Sequence, residues 1–271
     1  MAMSSSSRRG SVFQGGRLEQ RAAKGSTENG PAGPSRTWQT PAVRTYGQYC
    51  PVAAAAEMLG DRWTLLIVRD LITGAHRFNE IERGMHGISR TILSDRLRLL
   101  ERYGLIERRR VGAGHHEYWL TPVGADLEPA VLSLGNWAAR HFGKEPSPRE
   151  LDASRLMLWI ERFVRRAELP PGRWVARFEF TGPRRERRWL LVEDGNPTAC
   201  ETDPGPEPAL VVRTDLNTLH QVFGGRLALR AALRDGSLEI EGRKESLRMF
   251  PRWFGLSPFA DAMKDSVRAT A

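Results

Sequence analysis

Ser89, Arg90, Thr91 and Ser94 are short polar side chains with one long fork among them, inside a stretch where seven arginines face three acids (residues 88–111). Such residues suit hydrogen bonding to base edges in a DNA major groove, where each base pair shows a distinct donor and acceptor pattern. The Arg90 guanidinium has the geometry to grip a guanine with two parallel bonds. Arg98, further along, suits a backbone phosphate. Arg96 fits either a phosphate or a structural ion pair. Arg109, Arg110 and His115 gather about Gly112-Ala113-Gly114 and suit phosphate or the minor groove, and Asn79 adds a phosphate donor. Charge alone reads equally well as a solvated face. The placement of these residue types on one capped segment is what favours double-stranded DNA.

Other chemistry is poorly supported. The chain has no GxSxG, no P-loop, no dinucleotide fingerprint and no HExxH, so neither an enzyme nor a cofactor is expected. His115-His116 lacks neighbouring cysteines and reads as surface, with no metal site. Cys50 and Cys200 lie far apart and form neither a disulfide framework nor a zinc set, which fits a reducing compartment. Cys200 sits in the acidic TACETD, which disfavours thiolate. Absence of an 18-residue apolar run and of an N-terminal apolar stretch gives the expectation of a cytoplasmic protein.

The elements that must position these groups follow from caps and periodicity. CPVAAAAEML (50–59) reads as a helix with Pro51 in its first turn and Gly60 at its end. Asp61 is the expected cap of a second helix, Trp63–Ile72, stopped by Gly74, with Trp63, Leu66, Ile67 and Leu71 on one stripe. A third helix spans about 79–83. Ser89 caps a fourth, Arg90–Tyr103, closed by Gly104, with Ile92, Leu93, Leu97 and Leu100 on its apolar side. LIERRRV (105–111) and HEYWLT (116–121) around the glycines predict a hairpin. One last helix is expected over 122–141. There Leu127, Val131, Leu134 and Ala138 recur in a seam suited to a partner helix, with packing on their own domain as the plainer alternative.

The order helix, helix, capped helix, basic hairpin is that of a winged helix-turn-helix. The stretch resembles the HxlR-type family of regulators over about residues 46–142. The resemblance is carried by Cys50-Pro51-Val52, Gly60-Asp61-Arg62-Trp63-Thr64, Arg77-Phe78, Gly87-Ile88-Ser89, Gly104-Leu105-Ile106 and Leu120-Thr121-Pro122. It implies a homodimer joined through flanking helices, a recognition helix beginning at Ser89 and a wing at 109–116. The glycine-rich wing tip departs from the family, where proline or charge is common. The family also implies a possible thiol sensor at Cys50, whose place at a helix start favours thiolate. A small packing residue among the alanines is the plainer reading.

The second half reads as α+β: a helix over 149–167, strands at 173–180, 187–195, 208–215 and 237–242, and helices at 216–223, 226–234 and 245–254. The run RRERR (184–188) is expected to tip a hairpin. The stretch PALVVRTDLNTLHQVFGGRLALRAALRDGSLEIEGRKESLRMF is similar to the sterol-carrier-protein-like fold. That resemblance implies an apolar tunnel for a lipid-like small molecule, lined by some of Leu216, Leu219, Phe223, Leu227, Phe250 and Phe254, which read equally as plain core.

The expected organisation is a disordered basic tail (1–45), a winged-helix domain (46–143), a linker (144–149), an α+β domain (150–262) and a short tail (263–271). The formal charge of +9 divides as +5 on residues 1–45, +1 on 46–143 and +3 on 144–271, so basicity in the middle is local. The function that fits is a sequence-specific, homodimeric transcription regulator with an apolar effector. The alternatives are a lipid-carrier or transferase-like protein with a docking N-terminal module, and a nonspecific nucleoid protein. A preferred DNA site would separate them.

Overall fold

Cap and stop residues cut the first part of the chain into short helices. The computed structural model describes residues 45–112, 114–182 and 185–270, with side chains as far as Ser266. The basic stretch up to Arg44, expected as a disordered tail, lies outside the described residues, as do Ala113 and Arg184.

α1 (Pro51–Leu59) starts on a proline, which lacks the N–H that a helix start cannot satisfy. α2 (Thr64–Ile72) begins after Trp63, without the expected cap. One Asp61 oxygen accepts a long bond of 3.4 Å from the Trp63 amide, and the other pairs with Arg96 at 2.6 Å. Asp61 therefore ties this corner to the fourth helix. Gly74 ends α2 with φ +92. α3 (Phe78–Gly84) is entered over Glu80, whose Oε2 accepts the amides of His76 and Arg77 at 3.0 Å each. α4 (Arg90–Arg102) is capped as expected: the Ser89 Oγ accepts from the Ile92 amide at 3.2 Å.

These helices close over Ile67, Val68, Leu71, Ile81, Leu93, Leu97 and Leu100. Ile92 departs from expectation, since it is 40% exposed and stands off the apolar side. β1 (Ile106–Val111) and β2 (His115–Leu120) pair antiparallel from Ile106 opposite Leu120 to Val111 opposite His115. The Tyr118 amide donates to the His76 carbonyl at 2.7 Å, which fixes the hairpin to the α2–α3 connection. The expected long helix over 122–141 is two helices, α5 (Pro122–Ala125) and α6 (Glu128–Phe142). Pro129 lies in the first turn of α6, where its missing N–H does no harm; inside one continuous helix it would break the ladder.

α7 (Ala153–Phe163) is shorter than expected because Asp152 caps it, accepting from the Arg155 amide at 2.8 Å. A 3-10 turn, Arg166–Glu168, follows. β3 (Trp174–Thr181) and β4 (Glu186–Glu193) form a hairpin, but Glu186, Arg187 and Arg188 of the run expected at its tip stand in β4, opposite Phe180, Glu179 and Phe178. β5 (Asn196–Cys200), not expected, continues it through a tight turn in which Asp194 and Gly195 both have positive φ. β6 (Leu210–Asp215) leads into α8 (Leu216–Phe223), α9 (Leu229–Asp235) and β7 (Leu238–Gly242). The strand order is β5-β4-β3-β6-β7, with β3 and β6 parallel and the other pairs antiparallel. α10 (Lys244–Trp253) buries Phe250 and Trp253 in a second core with Leu156, Ile160, Phe178 and Leu219. The segment from 263, expected as a tail, is instead part of α11 (Ala260–Thr270), which lies along α6.

A buried charged clasp joins the two cores. Asp70 of α2 is fully buried, and Arg162 of α7 is only 6% exposed. The Arg162 guanidinium donates to Asp70 Oδ1 at 3.2 Å, to Thr73 Oγ1 at 3.3 Å and to the Glu80 carbonyl at 3.4 Å. Arg69 adds bonds of 3.0 and 2.8 Å to the same carboxylate oxygen. Both guanidinium groups also lie over the Trp159 ring, at 4.8 Å for Arg69 and 5.3 Å for Arg162.

Candidate nucleic-acid interface

α4 presents its N-terminal end on a firm base. Ser89 to Ile92 are four consecutive exposed residues, standing on the buried Leu93, Leu97 and Leu100. Ser89 spends its hydroxyl on the cap, so its role at a base edge is secondary to holding the helix start. Thr91 is exposed and Ser94 half-buried beside it. Arg90 lies over the Phe78 ring at 4.7 Å and reaches Glu82 at 2.5 Å and Asn79 at 3.3 Å. Asn79 and Arg90, both expected at DNA, are thus brought together by α3 and α4. Arg98 pairs with Asp95 one turn away, and both side chains are well exposed. Arg96 takes the structural alternative and is half-buried against Asp61.

The wing carries its charge on β1, where Glu107 through Val111 are all exposed. Arg109 bonds to Glu107 and lies over Trp119 at 4.9 Å. Arg108 contacts the ring of His116 at 2.9 Å. Arg110 and His115 are exposed at the tip. Trp119 stacks on His76 with ring centroids 3.6 Å apart. Burial there pushes the His76 pKa below its ordinary value, against the raising effect of the Tyr118 carbonyl that its Nδ1 meets. The wing root is thus built on an aromatic stack, and the strand leading to its tip carries arginines.

Other expected site residues fall elsewhere. Leu127 and Val131 pack partly buried against the first core of their own chain. Leu134 is 49% exposed, with Ala138 half-buried beside it. Sequence reasoning passed over Trp137 and Phe142 on α6, which are 50% and 67% exposed. Cys50 is half-buried at the start of α1, a helix that buries none of its residues among those described, so close packing of its alanines is not found. Burial, reinforced by Glu161, pushes the Cys200 thiol up, in keeping with its expected inertness.

The six apolar residues expected to line a tunnel form core instead. Leu219 and Phe250 are fully buried, Phe223 and Phe254 nearly so, and Leu216 and Leu227 pack against them. A cleft of about 440 Å³ lies between the cores, and of the six only Phe223 lines it. No helix among the described residues is long and apolar enough to cross a membrane.

The HxlR-like helix-turn-helix family matches residues 58–146. The HTH-type transcriptional regulator Rv3095 of Mycobacterium tuberculosis is 39% identical over 99 residues, which are 36% of this chain and 62% of that protein. The chain thus spans less than two thirds of that relative's length. The HTH-type transcriptional regulator YvaP of Bacillus subtilis is 36% identical over 94 residues, 34% of this chain and 87% of the relative. Among solved structures, the reduced form of the regulator YodB from B. subtilis is 32% identical, with a TM-score of 0.31, covering 35% of this chain and 95% of that one. The chain belongs to the HxlR-like helix-turn-helix family, and residues 58–146 are its transcription-regulator domain.

Proposed function

We propose that this protein regulates transcription by binding double-stranded DNA sequence-specifically as a homodimer. α4 enters the major groove with its capped end leading, and Arg90, Thr91 and Ser94 read base edges. The observation that carries this reading is the run of exposed residues from Ser89 to Ile92 on a rigid leucine base. Ile92, uncovered where a core residue was expected, offers an apolar contact to a thymine methyl group. The wing arginines and Arg98 serve flanking phosphates, and Arg96 acts as a strut.

Two helices support a second copy as partner. α1 buries none of its residues among those described, and α6 exposes Leu134, Trp137 and Phe142. The self-association surface proposed here therefore centres on Leu134 and Trp137, with Leu127 and Val131 left to the core. The second half is proposed to follow the sterol-carrier-like arrangement and to take a small apolar effector. Its mixed five-stranded sheet covered by helices supports that reading.

Selection of duplexes from a random pool, then anisotropy titration and sedimentation of the free protein and the complex, tests the proposal. The expected result is an inverted repeat with half-sites about one or two helical turns apart, two chains per duplex, and scrambled DNA bound at least about 10³-fold more weakly. A monomer on DNA, or affinity without sequence preference, would overturn it.

A further inference from the structure

The cleft between the two cores has the size and lining of a small-molecule site. Its volume of about 440 Å³ falls within the range of ligand pockets. Aromatic side chains from both sides meet in its walls: Phe142 at the end of α6, Trp159 on α7, Phe223 on α8 and Phe259 before α11. Phe142 is 67% exposed although it borders an apolar hollow. Ligand sites combine such walls with a few placed polar groups.

One group in this wall lacks a counterpart. Arg226 is half-buried and meets no carboxylate among the described residues. It sits close under the backbone, since a Cβ at Gly143 would stand 2.9 Å from its Nη2. The other cation inside the cleft, Arg69, is already engaged by Asp70. The acids of the wall, Glu145 and Glu150, are exposed at the rim beside Lys144, and Glu150 is occupied by the amide and hydroxyl of Ser147 at 2.8 and 2.6 Å. A half-buried guanidinium in apolar surroundings calls for an anion, and a planar carboxylate matches its fork.

We propose that this cleft is an effector site for an amphipathic organic carboxylate, with the carboxylate on Arg226 and the apolar body against Trp159, Phe223 and Phe259. The ring of Trp159 carries the signal. It touches the ligand on one side and lies under Arg69 and Arg162, which together hold Asp70. Asp70 belongs to α2, and Arg162 also holds Thr73 and the Glu80 carbonyl of α3. A ligand that shifts the Trp159 ring therefore shifts the scaffold on which α4 stands. This effector role rests on the proposed DNA binding; the binding site itself does not.

Tryptophan fluorescence and calorimetry on the full chain test the site, with decanoate and 1-naphthoate as probes and decanol as the neutral control. At least one carboxylate should bind saturably below about 1 mM, and decanol at least about tenfold more weakly. Arg226→Met should remove that preference, Arg226→Lys should restore part of it, and Trp159→Phe should remove most of the fluorescence change. Circular dichroism establishes that each variant is folded. Equal binding of carboxylate and alcohol, an Arg226→Met variant that binds like wild type, or no saturable binding of either carboxylate would overturn the site. The bound carboxylate should then change affinity for the selected duplex by about fivefold or more in wild type and not in Arg226→Met. Binding without any change in DNA affinity would overturn the effector role. Failure to bind DNA at all would sink the regulatory reading and leave the carboxylate measurement standing.

Discussion

Removing the charge of Asp70 should cost far more than removing that of Arg162. The Asp70 carboxylate is fully buried and serves two guanidinium groups through one oxygen. Arg162 is 6% exposed, and Asp70 is the carboxylate with which it pairs. At an effective dielectric constant of about 20, a charge pair at the observed 3.2 Å is worth about 5 kcal/mol before desolvation is counted. In Asp70→Asn, Arg162 stays buried beside a neutral amide, and an uncompensated buried charge costs about 3–5 kcal/mol. In Arg162→Met the apolar bulk remains and Asp70 keeps Arg69, so the loss should be about 1–3 kcal/mol. The double variant removes both members of the pair and should be more stable than Asp70→Asn alone. Urea unfolding followed by circular dichroism measures all three. Because the clasp joins two cores, Asp70→Asn should also split one transition into two. A loss below about 1 kcal/mol for Asp70→Asn, or strict additivity in the double variant, would refute the reasoning.

Gly84→Ala should destabilise by about 3 kcal/mol or more, because a Cβ there runs into the Asp70 carboxylate, whose Oδ2 is already buried without a partner; thermal melting reads the effect. Arg90→Ala should lower affinity for the selected duplex by about 1–3 kcal/mol and leave scrambled DNA unaffected, whereas Arg98→Ala should weaken both and flatten the salt dependence; anisotropy at several salt concentrations separates them. Ile92→Ser should relax preference at one thymine position without loss of stability, since the side chain is exposed; repeating the selection with the variant tests this. His220 is held at a pKa of about 4, against an ordinary value of 6.5, by burial first and by the charge of Arg155 second. The unfolded chain therefore takes up this proton first, so the contribution is complete above pH 6.5 and is lost as pH falls toward 4. It amounts to about 3 kcal/mol, and His220→Gln should flatten that part of the stability–pH curve from urea titrations.

The helical half of the first core was legible because its boundaries are marked by single residues with one physical job. Ser89 and Gly104 set α4, and Pro51 and Gly60 set α1. The errors have equally local causes. Ile92 follows a period that also fits an exposed first turn, and only the buried leucines behind it settle the phase. Pro129 signalled the α5–α6 break and was overrun by a seam that looked continuous. Asp194-Gly195 is a strong hairpin signal that would have revealed β5. Ser257 and Pro258, just ahead of α11, are a helix-start signal of the same kind, and the Ser257 Oγ accepts from the Phe259 amide at 3.3 Å. The proposed ligand site was illegible for a different reason. Leu219, Phe250 and Trp159 are alike in sequence, and whether an apolar residue fills a core or walls a hollow depends on packing between segments far apart in the chain. Arg69, Asp70 and Arg162 carry no motif at all.

The ion pair between Arg90 and Glu82 bears on how this protein would search a genome. In the free protein Arg90, the arginine proposed to read bases, already has a carboxylate, an amide oxygen and an aromatic ring around it. Leaving them is an exchange, not a gain. A lone phosphate encountered while sliding offers one contact and does not match what is given up, so under the proposed DNA binding Arg90 would stay folded back on random sequence, with the helix tip above the bases. A guanine in register offers two aligned acceptors and draws the side chain out. On the proposed reading Glu82 is an internal competitor that holds down residence time on wrong sites while leaving the right one deep, and a charge-neutral Gln in its place would yield a tighter but less selective protein.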